Sequence, residues 1–193
     1  MTRYLAVLLA SSVIAFPAAA ALQEGATAPA FKAQASLAGK TFTYSLKDAL
    51  KKGPVVVYFY PSAFTGGCNA QAHAFSESKE KFSAAGATII GVSLDSIARL
   101  NDFSADPEYC AGKIAVASDV DGKIAKSYGL TVTAASPGMK DSRGAEINHG
   151  FAERTTFIVS PEGKIVATVG GVAPTVNVTK SLEVVEQYAA KGK

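Results

Sequence analysis

Val55-Val56-Val57-Tyr58-Phe59-Tyr60-Pro61-Ser62-Ala63-Phe64-Thr65-Gly66-Gly67-Cys68 decides the reading of this chain. Its first six residues are β-branched or aromatic and stand between Pro54 and Pro61. Such a run fits a buried central strand better than a helix. Pro61 has no N–H to give a sheet ladder, so the strand should end there. A short polar loop with two glycines follows, and then Cys68. From there Ala72, Phe75 and Phe82 fall on one helical face, with Gln71, Glu77 and Lys81 elsewhere. The sequence therefore sets a thiol in the first turn of a helix, just past the carboxyl end of a buried strand. Unpaired N–H groups and the positive end of the helix dipole meet there, and both favour a thiolate.

Working outward, Gly25 to Phe31 reads as an extended segment that inserts Phe31 under the fold. Thr41 to Tyr44 alternates like an edge strand. Ser45 caps a short helix that Gly53 ends. Beyond the Cys68 helix, Ala87 to Ser93 is a second buried strand, and strand–helix–strand at this spacing implies a parallel pair. Ser96 opens a helix with Ile97, Leu100 and Phe103 inward. Asp106-Pro107 reads as a fresh helix start, with Cys110 in that short element and Gly112 closing it. A strand at Ile114 to Ala117 and a helix from Asp119 to Tyr128 come next. Residues 131–150 show no periodicity, and a loop of that length is more often functional or mobile than not. Thr155 to Val169 reads as a β-hairpin turning at Ser160-Pro161-Glu162-Gly163. Val178, Leu182, Val185 and Ala189 mark the inner stripe of a final helix. The order of elements implies an α/β domain, a mixed central sheet with helices on both faces.

Pro61-x-x-x-Thr65-x-x-Cys68 resembles the signature of the peroxiredoxins, of the alkyl hydroperoxide reductase/thiol-specific antioxidant type. Phe59-Tyr60 before it and Gln71 after it are most similar to the bacterioferritin-comigratory, or Q-type, branch. Gly25-Ala26-Thr27-Ala28-Pro29-Ala30-Phe31 resembles the opening of such chains, and Arg154 in Arg154-Thr155-Thr156-Phe157 matches their distant arginine. The resemblance implies a thioredoxin-like fold and reduction of hydrogen peroxide and organic hydroperoxides by a Cys68 thiolate. It implies that Thr65, with the N–H groups of Gly67 and Cys68, holds the peroxide, and that Pro61 shields the sulfur from water. Arg154 would lie over the sulfur and polarise the peroxide. Many Q-type members carry a second cysteine five residues after the first, where this chain has His73. Some resolve the oxidised sulfur through a cysteine in the region of Cys110, which implies an intramolecular Cys68–Cys110 disulfide. An inert Cys110 with an external thiol as resolver, or a disulfide to a second subunit, stays open. The 104–107 segment offers few apolar anchors and Gly112 a hinge, so opening of this turn is expected.

The chain has 193 residues, 48% hydrophobic and 18% charged, with a net charge of +3 and no basic cluster. That composition suits one globular domain and gives no reason to expect nucleic acid as a partner. Arg3, an apolar run from Tyr4 to Phe16 and the small residues at 17–21 read as a cleaved secretory signal over 1–21, with one thioredoxin-like domain over 22–193. A spanning helix needs roughly 20 apolar residues, more than this run supplies. The mature protein is then expected to be periplasmic or secreted, off the membrane, and a monomer or homodimer. Its partners would be a hydroperoxide and a thioredoxin-like or other dithiol reductant. His73 and His149 stand far apart with no ligand spacing, so both are expected on the surface or in loops, with no metal and no cofactor. Two other classes differ in kind. A thiol–disulfide oxidoreductase needs Cys-x-x-Cys, and position 71 is Gln. A binding module that had lost turnover would have no use for Pro61, Thr65, Cys68 and Arg154 together.

Overall fold

Successive side chains of a strand point to opposite faces, and a strand covered on both sides must be apolar throughout. Val55–Phe59 meets that condition, with all five residues buried. In the computed structural model, which describes residues 20–191, Val55, Val57 and Phe59 belong to one hydrophobic cluster. Val56 and Tyr58 belong to a second, which also holds Cys68 and Cys110. The fold is thus two cores divided by one sheet.

The strands are β1 (Lys32–Leu37), β2 (Lys40–Ser45), β3 (Val55–Phe59), β4 (Thr88–Ser93), β5 (Ala115–Ser118), β6 (Val132–Thr133), β7 (Phe151–Ala152), β8 (Thr155–Val159) and β9 (Ile165–Gly170). The helices are α1 (Leu46–Leu50), α2 (Gly66–Ala84), α3 (Ile97–Ala105), α4 (Lys123–Ser127) and α5 (Pro174–Lys191). Seven strands form the sheet in the order β2-β1-β5-β4-β3-β8-β9, and β6 pairs with β7 as a separate ribbon. β3, β4 and β5 run parallel, joined through α2 and α3, while β8 lies antiparallel to β3. The α2, α3 and α5 helices supply Phe75, Phe103 and Val185 to the second cluster. Phe31, Leu46 and Tyr128, from the opening segment, α1 and the end of α4, fill the first. This is the mixed, thioredoxin-like architecture expected of the sequence.

Some local readings shift. The expected edge strand is β2, at the edge of the sheet, and it pairs with β1, a strand that the sequence does not announce. The helix expected over 119–128 is confined to Lys123–Ser127, because Gly122 is left-handed (φ 66°) and makes 119–122 a turn. The Asp119 carboxylate accepts from the N–H groups of Ile124 and Ala125 at 3.0 and 2.8 Å and so caps that helix. Asp106-Pro107 opens turns and not a helix; Asp106 caps only locally, accepting from Glu108 N–H at 2.9 Å. The expected signal lies, but for Ala20 and Ala21, outside the described residues. Leu22 bonds the fold, its N–H donating to Tyr128 O at 3.1 Å and its carbonyl accepting from Thr168 Oγ1 at 2.6 Å.

Gly91 sits inside β4, where glycine is costly unless another group needs the space. Tyr58 is its direct partner on β3, and the Tyr58 ring, stacked on Phe75 at 4.4 Å between centroids, covers it. A Cβ at Gly91 would lie 2.6 Å from Tyr58 Cζ. Gly91→Ala should therefore destabilise by about 1–3 kcal/mol through overpacking, read as a lowered urea midpoint. An unchanged midpoint would mean that the aromatic stack yields freely.

Candidate active site

Pro61 ends β3, and the loop 61–65 carries the chain across the sheet's carboxyl edge into α2. Thr65 is the N-cap: its backbone is extended and its carbonyl accepts from the N–H groups of Cys68 and Asn69 at 2.9 and 2.8 Å. Cys68 is the third residue of the helix and is buried, 2% exposed. The Thr65 hydroxyl donates to Ser62 O at 2.8 Å. Two expectations change here. The Cys68 N–H is already engaged by Thr65 O, and the Thr65 proton is already committed. What Thr65 presents outward is an oxygen lone pair, an acceptor for an O–H group.

Arg154 reaches the sulfur from the start of β8. Its Nη2 donates to Cys68 Sγ at 3.3 Å, and its Nη1 donates to Gln71 Oε1. Gln71 is fully buried, against the sequence reading that set it off the inner face of α2. Its burial is possible because its amide nitrogen donates to Asn177 Oδ1 at 3.0 Å. Asn177, buried in α5, also accepts from Thr156 Oγ1 at 2.6 Å and donates to Val169 O at 2.8 Å. A closed polar chain thus runs from β8 and β9 through α5 and α2 to the guanidinium. Asn177 is a residue the sequence reading missed, and its pairing with Ser181 one turn on, beside Val178 and Val185, gives little signal. Gly67 lets the arginine in: a Cβ there would stand 3.3 Å from Arg154 Nη2 and 3.2 Å from Pro174 Cγ.

The loop holding Phe64 is fixed from the other side. Phe64 is buried with φ at 58°, a left-handed conformation that a bulky residue keeps only under constraint. The constraint comes from residues 95–99 and 141–149. Asp95, fully buried, accepts from Ala63 N–H and Ser93 Oγ at 2.8 and 2.7 Å, from Ser62 Oγ at 3.0 Å and from Arg99 Nε at 2.8 Å. Arg99 also donates to Ala63 O and pairs with Asp141, each at 2.8 Å. Ser142 N–H donates to Phe64 O at 2.8 Å, and the Arg143 guanidinium lies 3.3 Å from the centroid of the Phe64 ring. The aperiodic stretch therefore contains a clasp on the loop before Cys68. His149 belongs to it, in a loop as expected but half-buried. Its Nε2 lies 2.8 Å from Asp95 Oδ1 and its Nδ1 2.8 Å from Gly150 O. Both ring nitrogens face acceptors, an arrangement that favours the doubly protonated ring. His73 is exposed, and its Nδ1 lies 2.9 Å from Glu108 O.

Cys110 is a free thiol, fully buried in the second core with Cys68. Burial, helped by the Asp106 charge, pushes its pKa well up. Its turn is better anchored than the sequence suggests. Tyr109 stacks on Phe103 (5.5 Å) and meets the Phe64 ring edge-on (5.8 Å). Ser104 Oγ lies 2.8 Å from Ser36 Oγ and accepts from Gly39 N–H at 2.9 Å. The anchors are the turn's own Tyr109 and Cys110 and a polar pair to β1, a strand the sequence did not reveal.

Fold and site together define a thioredoxin-like protein with a buried cysteine under an arginine at a helix N-terminus. The AhpC/TSA family model matches residues 25–168, and the chain belongs to that family, the peroxiredoxins. It is 42% identical over 80 residues to the chloroplastic peroxiredoxin Q of Oryza sativa subsp. japonica, covering 42% of this chain and 36% of that protein. Over 111 residues it is 38% identical to the chloroplastic peroxiredoxin Q of Suaeda salsa, covering 58% of this chain and 49% of that one. The chain thus spans between a third and a half of these relatives' length. The structure of the Xanthomonas campestris bacterioferritin comigratory protein, which has alkyl peroxide reduction activity, superposes with a TM-score of 0.63 at 28% identity, covering 81% of this chain and 91% of that one.

His149 supplies the pH dependence. Burial disfavours its charge, but the hydrogen bond and charge of Asp95, with the Gly150 carbonyl, outweigh this and raise its pKa above 6.5. A raised folded-state value stabilises fully below the unfolded one, and that stability is lost as pH rises through the folded value. Asp95 is held below the usual carboxylate range: burial would raise it, but the His149, Ser93 and Ala63 hydrogen bonds prevail. Its contribution is therefore lost only in acid. His149→Gln should cost about 1.5–3 kcal/mol at pH 6 and distinctly less at pH 9, measured by chemical denaturation at both. Equal losses at the two pH values would show that the ring does not bear charge.

Proposed function

We propose that this protein is a thiol-dependent peroxidase working through Cys68. The observation that carries the reading is the Arg154 guanidinium 3.3 Å from the Cys68 sulfur at the start of α2. Cys68 thiolate attacks one peroxide oxygen, the S–O bond forms as the O–O bond breaks, and the alcohol or water leaves after gaining a proton. Cys68 is left as a sulfenic acid. A guanidinium cannot lose its charge at working pH, so it can stabilise the thiolate and the developing charge on the oxygens. Thr65 accepts the peroxide O–H, and Pro61 keeps water from the sulfur.

Resolution falls to Cys110: its sulfur displaces the sulfenic oxygen as water and forms a disulfide, which an external dithiol of the thioredoxin type reduces. Since burial keeps Cys110 protonated, its turn must open to water before it can act. That burial also supports a second reading, a one-cysteine enzyme resolved by an external thiol. The substrates are hydrogen peroxide and organic hydroperoxides. The composition of residues 1–21 supports export to the periplasm or beyond.

Cys68→Ser should abolish peroxide consumption with dithiothreitol while keeping the fold. Arg154→Lys and Thr65→Val should each slow it at least about tenfold, roughly 1.4 kcal/mol of barrier. Turnover in Cys68→Ser near wild type would overturn the peroxidase reading.

Cys110→Ser separates the two modes of resolution. Wild type treated with one equivalent of peroxide should lose the mass of two hydrogens and stay monomeric on a non-reducing gel. The variant should instead accumulate sulfinic acid at Cys68 as peroxide rises. If it turns over and resists overoxidation like wild type, Cys110 is a bystander.

A further inference from the structure

An amide side chain carries a donor at one end and an acceptor at the other. In a buried chain of amides, the partner at one end therefore decides what the far end presents. The polar chain behind Arg154 ends on a partner with no choice: Val169 O is a backbone carbonyl of β9 and can only accept. The Asn177 amide nitrogen donates to it at 2.8 Å, which turns Asn177 Oδ1 toward Gln71 and Thr156. Faced with that oxygen, Gln71 offers its nitrogen, at 3.0 Å, and its Oε1 is left to meet Arg154 Nη1–H. Donation thus runs one way, from the guanidinium through Gln71 and Asn177 to Val169 O.

The reverse order fails at both joints. Turning the Gln71 amide over would set its nitrogen against the Arg154 donors and its oxygen against Asn177 Oδ1. Turning Asn177 over as well would set that oxygen against Val169 O. Gln71 and Asn177 are 0% and 1% exposed, so neither can exchange a lost protein partner for bulk water. Asn177 is itself held in the first turn of α5, its N–H donating to Ala173 O at 2.9 Å. With Nη1 fixed on Gln71, Nη2 of the same planar group lies on Cys68 Sγ at 3.3 Å.

We propose that Asn177 is a positioning residue for peroxide reduction: by fixing which end of the Gln71 amide meets Arg154, it holds the guanidinium on the Cys68 sulfur. The inference rests on the peroxidase reading, and the reaction is the attack already described. A residue that served only to pack α5 on the sheet would leave the reaction alone wherever the fold survived its loss.

The test follows the first step by itself, the rate constant of reduced Cys68 with one equivalent of hydrogen peroxide, by stopped flow on the full chain. Asn177→Leu should slow it at least about tenfold through a misplaced guanidinium. Gln71→Glu should slow it too, because a carboxylate against Asn177 Oδ1 sets acceptor on acceptor. The double variant should react faster than either single one, since a carboxylate offers Arg154 an acceptor whichever way it lies. Its urea midpoint should stay as low as that of Asn177→Leu, with Thr156 and Val169 O still lacking their partner. Recovery of rate without recovery of stability marks positioning, whereas packing alone predicts losses that accumulate in both. If folded Asn177→Leu reacts like wild type, or the double variant fails to exceed both single ones, Asn177 only packs. A further measurement needs no substitution: by NMR, the side-chain amide protons of wild-type Gln71 should exchange with solvent far more slowly than those of the exposed Gln187. Equal exchange rates would overturn the inference even if neither variant folds. If wild type consumes no peroxide at all, the peroxidase reading falls and this inference falls with it.

Discussion

A guanidinium turned from solvent toward a buried sulfur gives up part of its hydration, and a second acceptor on the same side offsets that loss and fixes its direction. In this protein the partner is Gln71, which would itself be untenable in the core without Asn177. Asn177 closes the chain by engaging Thr156 and Val169 on the two strands that follow Arg154. The same residue thus ties α5 to the strand that delivers the arginine and to the helix that delivers the sulfur. Misplacing any of these three elements would break the chain and leave a polar group stranded. That is a strong reason for one packing of α2 against α5 over its neighbours.

The loop before Cys68 is under the opposite demand. Phe64 is left-handed, which costs of order 1–3 kcal/mol for such a residue, and it is kept so by contacts from outside the loop. Asp95 and Arg99 grip its backbone, and Arg143 covers its ring. Breaking a buried pair such as Asp95–Arg99 by removing one partner costs about 3–5 kcal/mol, more than the strain it opposes. The folded loop is therefore stable but poised: the backbone gains by relaxing once the clasp lets go.

What was legible in the sequence is what local pattern controls. The apolar run at 55–59, the hairpin at 155–170 and the stripe of the last helix read directly, because hydrophobic period is a short-range signal. The motif around Cys68 gave the position of the sulfur, and Arg154 was found by likeness to a family and not by any local feature. Asn177, Asp95 and the pairing of His149 with Asp95 were not legible. A buried polar residue is stable only with its partner, and these partners lie 106 residues away for Asn177 and Gln71 and 54 for Asp95 and His149. Read alone, each looks like surface. β1 was missed because Lys32–Leu37 alternates weakly and earns its place by pairing with β2 and β5.

The second cysteine shows how the two halves of the site are joined. His73 occupies the position where many Q-type chains carry their second cysteine, and its ring meets the carbonyl of Glu108 in the Cys110 turn. Tyr109 of that turn lies against Phe64, the strained residue of the sulfur's loop. On the proposed cycle, opening at either place therefore withdraws a contact from the other. Release of the turn removes one edge of the pocket around Phe64, and relaxation of Phe64 removes the ring on which Tyr109 leans. Ser104 is tied to β1 and the α2 helix packs on α5, so each half is also held at its far end. The physical expectation is a coupled opening, in which Phe64 and Tyr109 part together and Cys110 meets water only once both have moved.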